Sequence, residues 1–192
     1  MKMNRLVCTM AASLLLCAET GFAASHKAAA KSESPITIGT IVYHLDDIDK
    51  SFKELHDAKF TSCQLNYNAA KMTSEFAEQV KQASQKYNIK VTTVVGVPGH
   101  SVWNFLQGPS TIGLVPAEGR EAKIATYHKM IDFCQKAGVP AMHSHFGFIP
   151  EDPSCDQYKT FIFVMRQLAG YAKERGVMIY FETGQETPTT LI

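Results

Sequence analysis

The sequence predicts an α/β protein built on parallel strands, and three observations predict it. Short segments rich in Val, Ile, Thr and Tyr alternate with segments whose apolar residues recur at helical spacing. Most connections between them are short, which suits strand–helix crossovers. The strand-like segments are apolar at both parities, as parallel strands covered by helices on one side and a core on the other should be.

With 192 residues, 45% of them hydrophobic, the chain holds enough apolar side chains for a real core. A formal net charge of +1 gives no electrostatic case for nucleic acid or an anionic membrane as partner. Lys2 and Arg5, the apolar run from Leu6 to Ala18, and the small residues Gly21 and Ala23 predict a secretory signal peptide over residues 1–23. A secreted or periplasmic protein is expected, with no membrane association after cleavage. A lipoprotein anchored at Cys17 is the second choice, because Leu16 stands where a small residue is wanted. Cleavage after Ala23 leaves 17 basic and 17 acidic residues, a neutral mature chain. Residues 24–35 are rich in Ala, Ser and Lys without periodicity and predict a flexible linker. Cys63, Cys134 and Cys155 remain; an odd number, widely spaced, is neither a disulfide framework nor a zinc pattern. Cys63 and Cys134 read as small buried hydrophobes, with one bridge left open in an oxidising compartment.

Ile36 to His44 predicts the first strand, and Asp46 or Asp47 can cap a helix carrying Ile48, Phe52 and Leu55 on one face. Phe60 to Asn68 is the second strand, with Gln64 and Asn66 on one side and Cys63, Leu65 and Tyr67 on the other. Thr73 or Ser74 caps a second helix with the stripe Phe76, Val80 and Ala83, ending near Asn88. Ile89 to Pro98 is a valine-rich third strand. The connection after it, Gly99 to Ala117, is long enough to predict a lid over a binding site, and it holds His100, Trp103 and Phe105. Glu118 to Gly138 predicts the third helix, with Ile124, Met130, Ile131 and Cys134 inward and Gly138 as its stop. Val139 to Ile149 is the fourth strand, containing both His143 and His145. Asp152-Pro-Ser starts a helix that buries Phe161, Val164, Leu168 and Tyr171 and ends at Gly176. The run from Val177 predicts a buried fifth strand that delivers Glu182 to its tip, and Thr187-Pro188 starts a further helix.

Periodicity is equally compatible with an open doubly wound sheet and a closed barrel. No Gly-rich phosphate loop follows the first strand, which lowers a nucleotide-binding doubly wound fold. In a barrel, catalytic groups sit at C-terminal strand ends. Three groups meet that criterion: His143 with His145, Glu182, and His100 with Trp103. Two histidines two apart in a strand share a face, and the fourth and fifth strands should be neighbours, so Glu182 would lie beside them. Imidazole and carboxylate on adjacent strand tips suit a divalent ion such as Mn, Zn, Fe or Mg, which would polarise a carbonyl or hydroxyl. A carboxylate at a buried strand end needs some such partner. Each residue also has a bland reading: Glu182 as a salt-bridge partner, His145 as a bonded core histidine, His143 as a group that only orients others, and Trp103 as a lid anchor. Gln64 and Asn66 divide between lining the substrate site and bonding within a barrel core.

Ala141-Met-His-Ser-His-Phe-Gly147, Tyr171-Ala-Lys-Glu-Arg-Gly-Val177 and Ile179-Tyr-Phe-Glu-Thr-Gly-Gln185 together resemble the xylose isomerase-like TIM-barrel superfamily. That group includes sugar and sugar-phosphate isomerases and epimerases and the metal-dependent apurinic endonucleases. The resemblance runs from about Ile36 to the end and implies a partial (β/α)8 TIM barrel. It implies that Glu182 is a metal ligand and acid/base group, that His145 touches the metal or the substrate, and that His100 lies near the substrate. Gln64 stands where many members carry a glutamate.

The function expected is a secreted, metal-dependent sugar isomerase or epimerase that abstracts a proton beside a carbonyl. Alternatives are a phosphoesterase of the apurinic-endonuclease type and a non-catalytic carbohydrate-binding barrel with Trp103 and Phe105 as the sugar platform. A small-molecule sugar is the expected partner, with an oligomer left open. A full barrel needs about 250 residues and eight strands, whereas about five βα units are predicted. The chain is therefore expected to be an inactive, poorly soluble fragment over residues 36–192, with open edges at its first and fifth strands.

Overall fold

The computed structural model of the chain describes residues 37–182 and 185–192. The expected signal peptide, linker and strand start at Ile36 lie outside the described residues. Among the described residues, five strands alternate with helices: β1 Gly39–Val42, α1 Ile48–Asp57, β2 Ser62–Asn66, α2 Ser74–Tyr87, β3 Lys90–Val95, a short α3 Gly108–Thr111, α4 Arg120–Ala137, β4 Ala141–Ser144, α5 Asp156–Glu174, β5 Met178–Phe181 and a short α6 Pro188–Leu191. All strands are parallel and lie in the order β1-β2-β3-β4-β5. A doubly wound sheet reverses its strand order, so this unbroken sequential order gives the TIM-barrel arrangement, here five of its units.

Capping follows the expected chemistry. Asp47 accepts from the backbone N–H of Lys50 at the start of α1, and Thr73 accepts from Phe76 at the start of α2. Asn88 and Gly138 end α2 and α4 in the left-handed conformation. One expected start is displaced. Asp152 instead folds back on the backbone and side chain of Ser154, and Cys155 caps α5 by accepting from Tyr158. Pro153 keeps Asp152 out of the helical region, so α5 starts four residues past that aspartate.

The core lies between the sheet and the helices. Cys63 and Leu65 of β2, Val91 and Val94 of β3, and Met142 of β4 are buried against Phe52, Val80, Met130, Ile131, Phe161 and Leu168. The other parity of β2, Gln64 and Asn66, is only half-buried, as alternation predicts. A register shift between Cys63 and Gln64 pairs Gln64 with Thr93 and leaves Thr92 bulged, its hydroxyl bonding the Cys63 carbonyl. Neighbouring helices are also pinned at the surface. Asp49 of α1 accepts from Lys86 and Tyr87 of α2, and Asp132 of α4 accepts from Tyr171 of α5 and from Arg175 just past its end. Tyr171, expected to be buried, is half-buried: it packs against the core while its hydroxyl reaches Asp132 and its ring stacks on the imidazole of His128, centroids 3.8 Å apart.

Two strand expectations are corrected. β4 ends at Ser144, so His145 stands just beyond it. β5 is an edge strand, with Met178, Tyr180 and Phe181 exposed, so Glu182 arrives at an open edge and is not buried. An edge strand has one neighbour and covers only part of its apolar surface. Cys63, Cys134 and Cys155 are all free thiols.

Candidate functional site

The chain leaves β4 in a sharp turn that fixes His145. The Ser144 hydroxyl lies 2.8 Å from the Tyr127 hydroxyl of α4, which holds the end of the strand to the helix layer. His145 is 3% exposed. Its Nδ1 accepts the backbone N–H of Gly147 at 3.1 Å, and its Nε2 lies 2.8 Å from Oε1 of Gln185. Trp103 meets the same ring edge-on, with centroids 5.7 Å apart, and Phe148 packs at 6.0 Å. The β3–α4 connection, the exit of β4 and the segment after β5 thus converge on one imidazole.

Glu182 is one residue past β5. Its backbone N–H donates to the Ser144 carbonyl at 2.9 Å, and its side chain is exposed. The expectation that Glu182 and His145 occupy neighbouring strand exits holds in the structure. The register also aligns Asn66, Val95, His143 and Tyr180 in one row across the sheet. Asn66 and His143 therefore share a sheet face just below the strand tips.

Two of the nominated residues lie elsewhere. His100 lines a cleft of about 370 Å³ with Thr111, Glu118, Lys123 and Thr126. Gln64 lines another of about 400 Å³ with Ile41, Ser62, Lys90 and Thr92, toward the N-terminal side of the sheet. Trp103 lines a third, of about 130 Å³, with Phe105, Ile112, Phe148 and Gln185.

The connection from 99 to 117 is held by its base. Leu114 donates its backbone N–H to the Phe146 carbonyl at 2.7 Å. Gly113 has φ +68°, and a Cβ there would sit 2.0 Å from the Phe146 carbonyl carbon; Gly147 has φ +111°, and a Cβ would sit 2.7 Å from the Ile112 carbonyl oxygen. Only glycine allows these two backbones so close. From α4, Lys123 Nζ donates to the carbonyls of Thr111 (2.5 Å) and Gly113 (3.0 Å). Arg120 donates to the carbonyls of Leu114 (2.8 Å) and Val115 (2.6 Å). Burial pushes the Lys123 ammonium below the ordinary lysine range, partly offset by Glu118. The base of this connection is clamped, while Trp103, Phe105 and Leu106 at its tip are exposed.

Sequence reasoning missed Gln185, Phe148, Gly147 and Lys123. The spacing His145-Phe-Gly147 was a readable signal, since a glycine two residues after a histidine can turn its N–H back on the ring. Gln185 had no such signal, because its bond spans 40 residues.

A divalent ion finds no complete ligand set here. Among the described residues, no three His, Cys, Asp or Glu side chains lie close enough to hold one. A neutral imidazole ligates through one nitrogen while the other carries the proton. With Nδ1 accepting from Gly147, the proton is on Nε2, and no ring lone pair is left for a metal. The exposed Glu182 carboxylate has the hard oxygen such an ion takes, but His145 as bonded does not fit a ligand.

A family model described as a xylose isomerase-like TIM barrel matches residues 52–191. The chain is similar to the solved structure of a xylose isomerase domain protein from Planctomyces limnophilus, at 28% identity and a TM-score of 0.71 over 80% of this chain and 56% of that one. It is also similar to a 3-keto-D-glucoside 4-epimerase from E. coli, at 19% identity and a TM-score of 0.54 over 76% of this chain and 55% of that one. A D-psicose 3-epimerase solved in the presence of D-fructose shares the fold at 12% identity and a TM-score of 0.57 over 77% of this chain and 52% of that one. No curated protein matches the sequence. The chain spans about half the length of the solved structures it matches.

Proposed function

The chain belongs to the xylose isomerase-like TIM-barrel family, and on that premise we propose that it supplies five βα units of a sugar or sugar-phosphate isomerase/epimerase. The reaction removes a proton from the carbon beside a carbonyl and returns it on the other face or to the neighbouring carbon. The observation that carries this reading is Glu182: an exposed carboxylate at the C-terminal tip of β5, tied through its backbone to Ser144 and next to the buried His145. Glu182 is the acid/base group, and a positioned carboxylate of this kind contributes about 10²–10⁴ in rate. Asn66, His143 and Trp103 contact the sugar in this proposal, Trp103 as the apolar platform for one face of the ring. His100 and Gln64 line other clefts and carry no role in this proposal.

A divalent ion, when bound, would polarise the carbonyl. Glu182 suits it and His145 as bonded does not, so no step above runs through a metal. Because the chain spans about half the length of its solved relatives, we propose that the 192 residues alone do not turn sugar over. Residues 1–23 are proposed to direct export.

The experiment is a product assay on the protein from the complete reading frame, offered a panel of ketoses, aldoses and their phosphates. Epimer or isomer formation is expected, with Glu182→Gln lowering kcat by about 10²–10⁴ while binding survives. The exposed Trp103 and Phe105 favour a second reading, a barrel that binds carbohydrate without turning it over. Sugar binding with no product from either form would support that reading and contradict the first.

A further inference from the structure

We infer that His145 serves this site as a hydrogen-bond donor from Nε2 to the substrate oxygen on which charge develops, and not as a metal ligand. The inference rests on the reading of Glu182 as the base.

The geometry leaves one choice of tautomer. The Gly147 N–H belongs to the backbone and can only donate, so Nδ1 receives it and carries no proton. A neutral imidazole has a single N–H, which is therefore on Nε2. The amide of Gln185 is consistent with that assignment, with Oε1 placed toward Nε2. The flipped amide would make both ring nitrogens acceptors, which a neutral ring does not allow. Gly147 is a fixed part of this device, because its φ of +111° and its approach to the Ile112 carbonyl exclude any side chain.

The ring and its present partner differ in exposure. His145 is buried, with Trp103 and Phe148 against it, whereas Gln185 is exposed on the segment after β5. An amide oxygen is a neutral stand-in for a sugar carbonyl or hydroxyl oxygen. A substrate oxygen can displace Gln185 while the imidazole stays where it is, so the donor is set before charge appears. Preorganised donors of this kind contribute about 10²–10³ in kcat, and a neutral imidazole is an effective one. When Glu182 takes the proton from carbon, the electron pair moves onto the carbonyl oxygen, and Nε2–H bonds that oxygen without giving up its proton. Reprotonation of carbon returns the charge to Glu182.

The test is nitrogen-15 spectroscopy of histidine-labelled protein, in solution or as a sedimented solid, with His145→Gln used to assign the signals. The Nε2–H tautomer is expected in the wild type and in Gln185→Met, with both ring nitrogens unmoved by excess Zn²⁺. An Nδ1–H tautomer, or a zinc-induced shift of either nitrogen, would overturn the inference. In the turning-over protein, His145→Leu should lose about 10²–10³ in kcat with little change in KM. His145→Gln, which keeps an N–H donor, should recover part of that loss. Equal losses in both variants, accompanied by loss of bound metal, would contradict the donor role. A silent Glu182→Gln beside an intact Nε2–H tautomer would overturn the base and leave the donor standing.

Discussion

At the scale of single residues, burial decides reactivity. Cys63 and Cys134 have their thiols pushed up to about 12 by burial, from an ordinary value of 9.0. Both are expected to resist alkylation in the folded protein, while Cys155, half-buried at the start of α5, reacts; peptide mass mapping checks this. The same shift sets a pH dependence. Below pH 9 folded and unfolded chains both hold these protons, and the thiols contribute nothing. Above it the unfolded chain releases them first, so it binds fewer protons and stability falls as pH rises toward 12. The slope is about 1.4 kcal/mol per pH unit for each thiol. Denaturant midpoints that stay flat between those limits would contradict the burial argument. The polar residues of the site were less readable than these cysteines. Glu182 and His145 drew notice because each ends an apolar run; the burial argument behind that holds for His145 and not for the exposed Glu182. The bonds that define the role of His145 join it to Gly147 and Gln185, and only the first is local enough to see in a sequence.

At the scale of elements, the 99–117 connection has a clamped base and an exposed tip whose Trp103 and Phe105 rings rest on His145 and Phe148. Lys123 satisfies the carbonyls of Thr111 and Gly113 from within α4. Lys123→Met keeps the length of the side chain and removes the donor, leaving two carbonyls unpaired at a cost of about 1–3 kcal/mol. Limited proteolysis should then cut faster between residues 99 and 117 without unwinding α4. Unchanged cleavage and an unchanged melting temperature would show that the clamp is idle. Element type was legible for the strands and the long helices: the stop at Gly138 and the parity of Gln64 and Asn66 follow from local rules, and the structure chooses Asp47 over Asp46 and Thr73 over Ser74 as caps. Element ends were less so. The strands are only four to six residues long, and the apolar residues flanking them pack in turns that look like strand in a sequence. β4 is the consequential case, since moving His145 out of the strand frees it to turn onto Gly147. The lid also hides the short α3, whose Gly108-Pro-Ser-Thr111 reads as loop by composition.

At the scale of the molecule, β1 and β5 are the edges of the five-stranded sheet. The β5 edge is apolar, with Met178, Tyr180 and Phe181 exposed beside a groove of about 780 Å³ lined by Ile162, Met165, Val177 and Ile179. An exposed apolar edge strand recruits other strands. The 192-residue chain is therefore expected to associate in a concentration-dependent way in sedimentation velocity. Tyr180→Lys should weaken that association, and a monomer indifferent to the substitution would contradict it. The strand–helix rhythm left a doubly wound sheet and a barrel equally open, and the family motifs decided for the barrel; the open β5 edge followed from counting five strands, whereas its apolar run alone reads as a buried strand. The whole account turns on a proton leaving carbon at Glu182, and solvent isotope exchange reads that step directly. The protein from the complete reading frame, incubated in deuterium oxide with a converted sugar, should place deuterium on the carbon beside the carbonyl, and Glu182→Gln should abolish the exchange. Conversion with no deuterium incorporated, or undiminished exchange in Glu182→Gln, would contradict it.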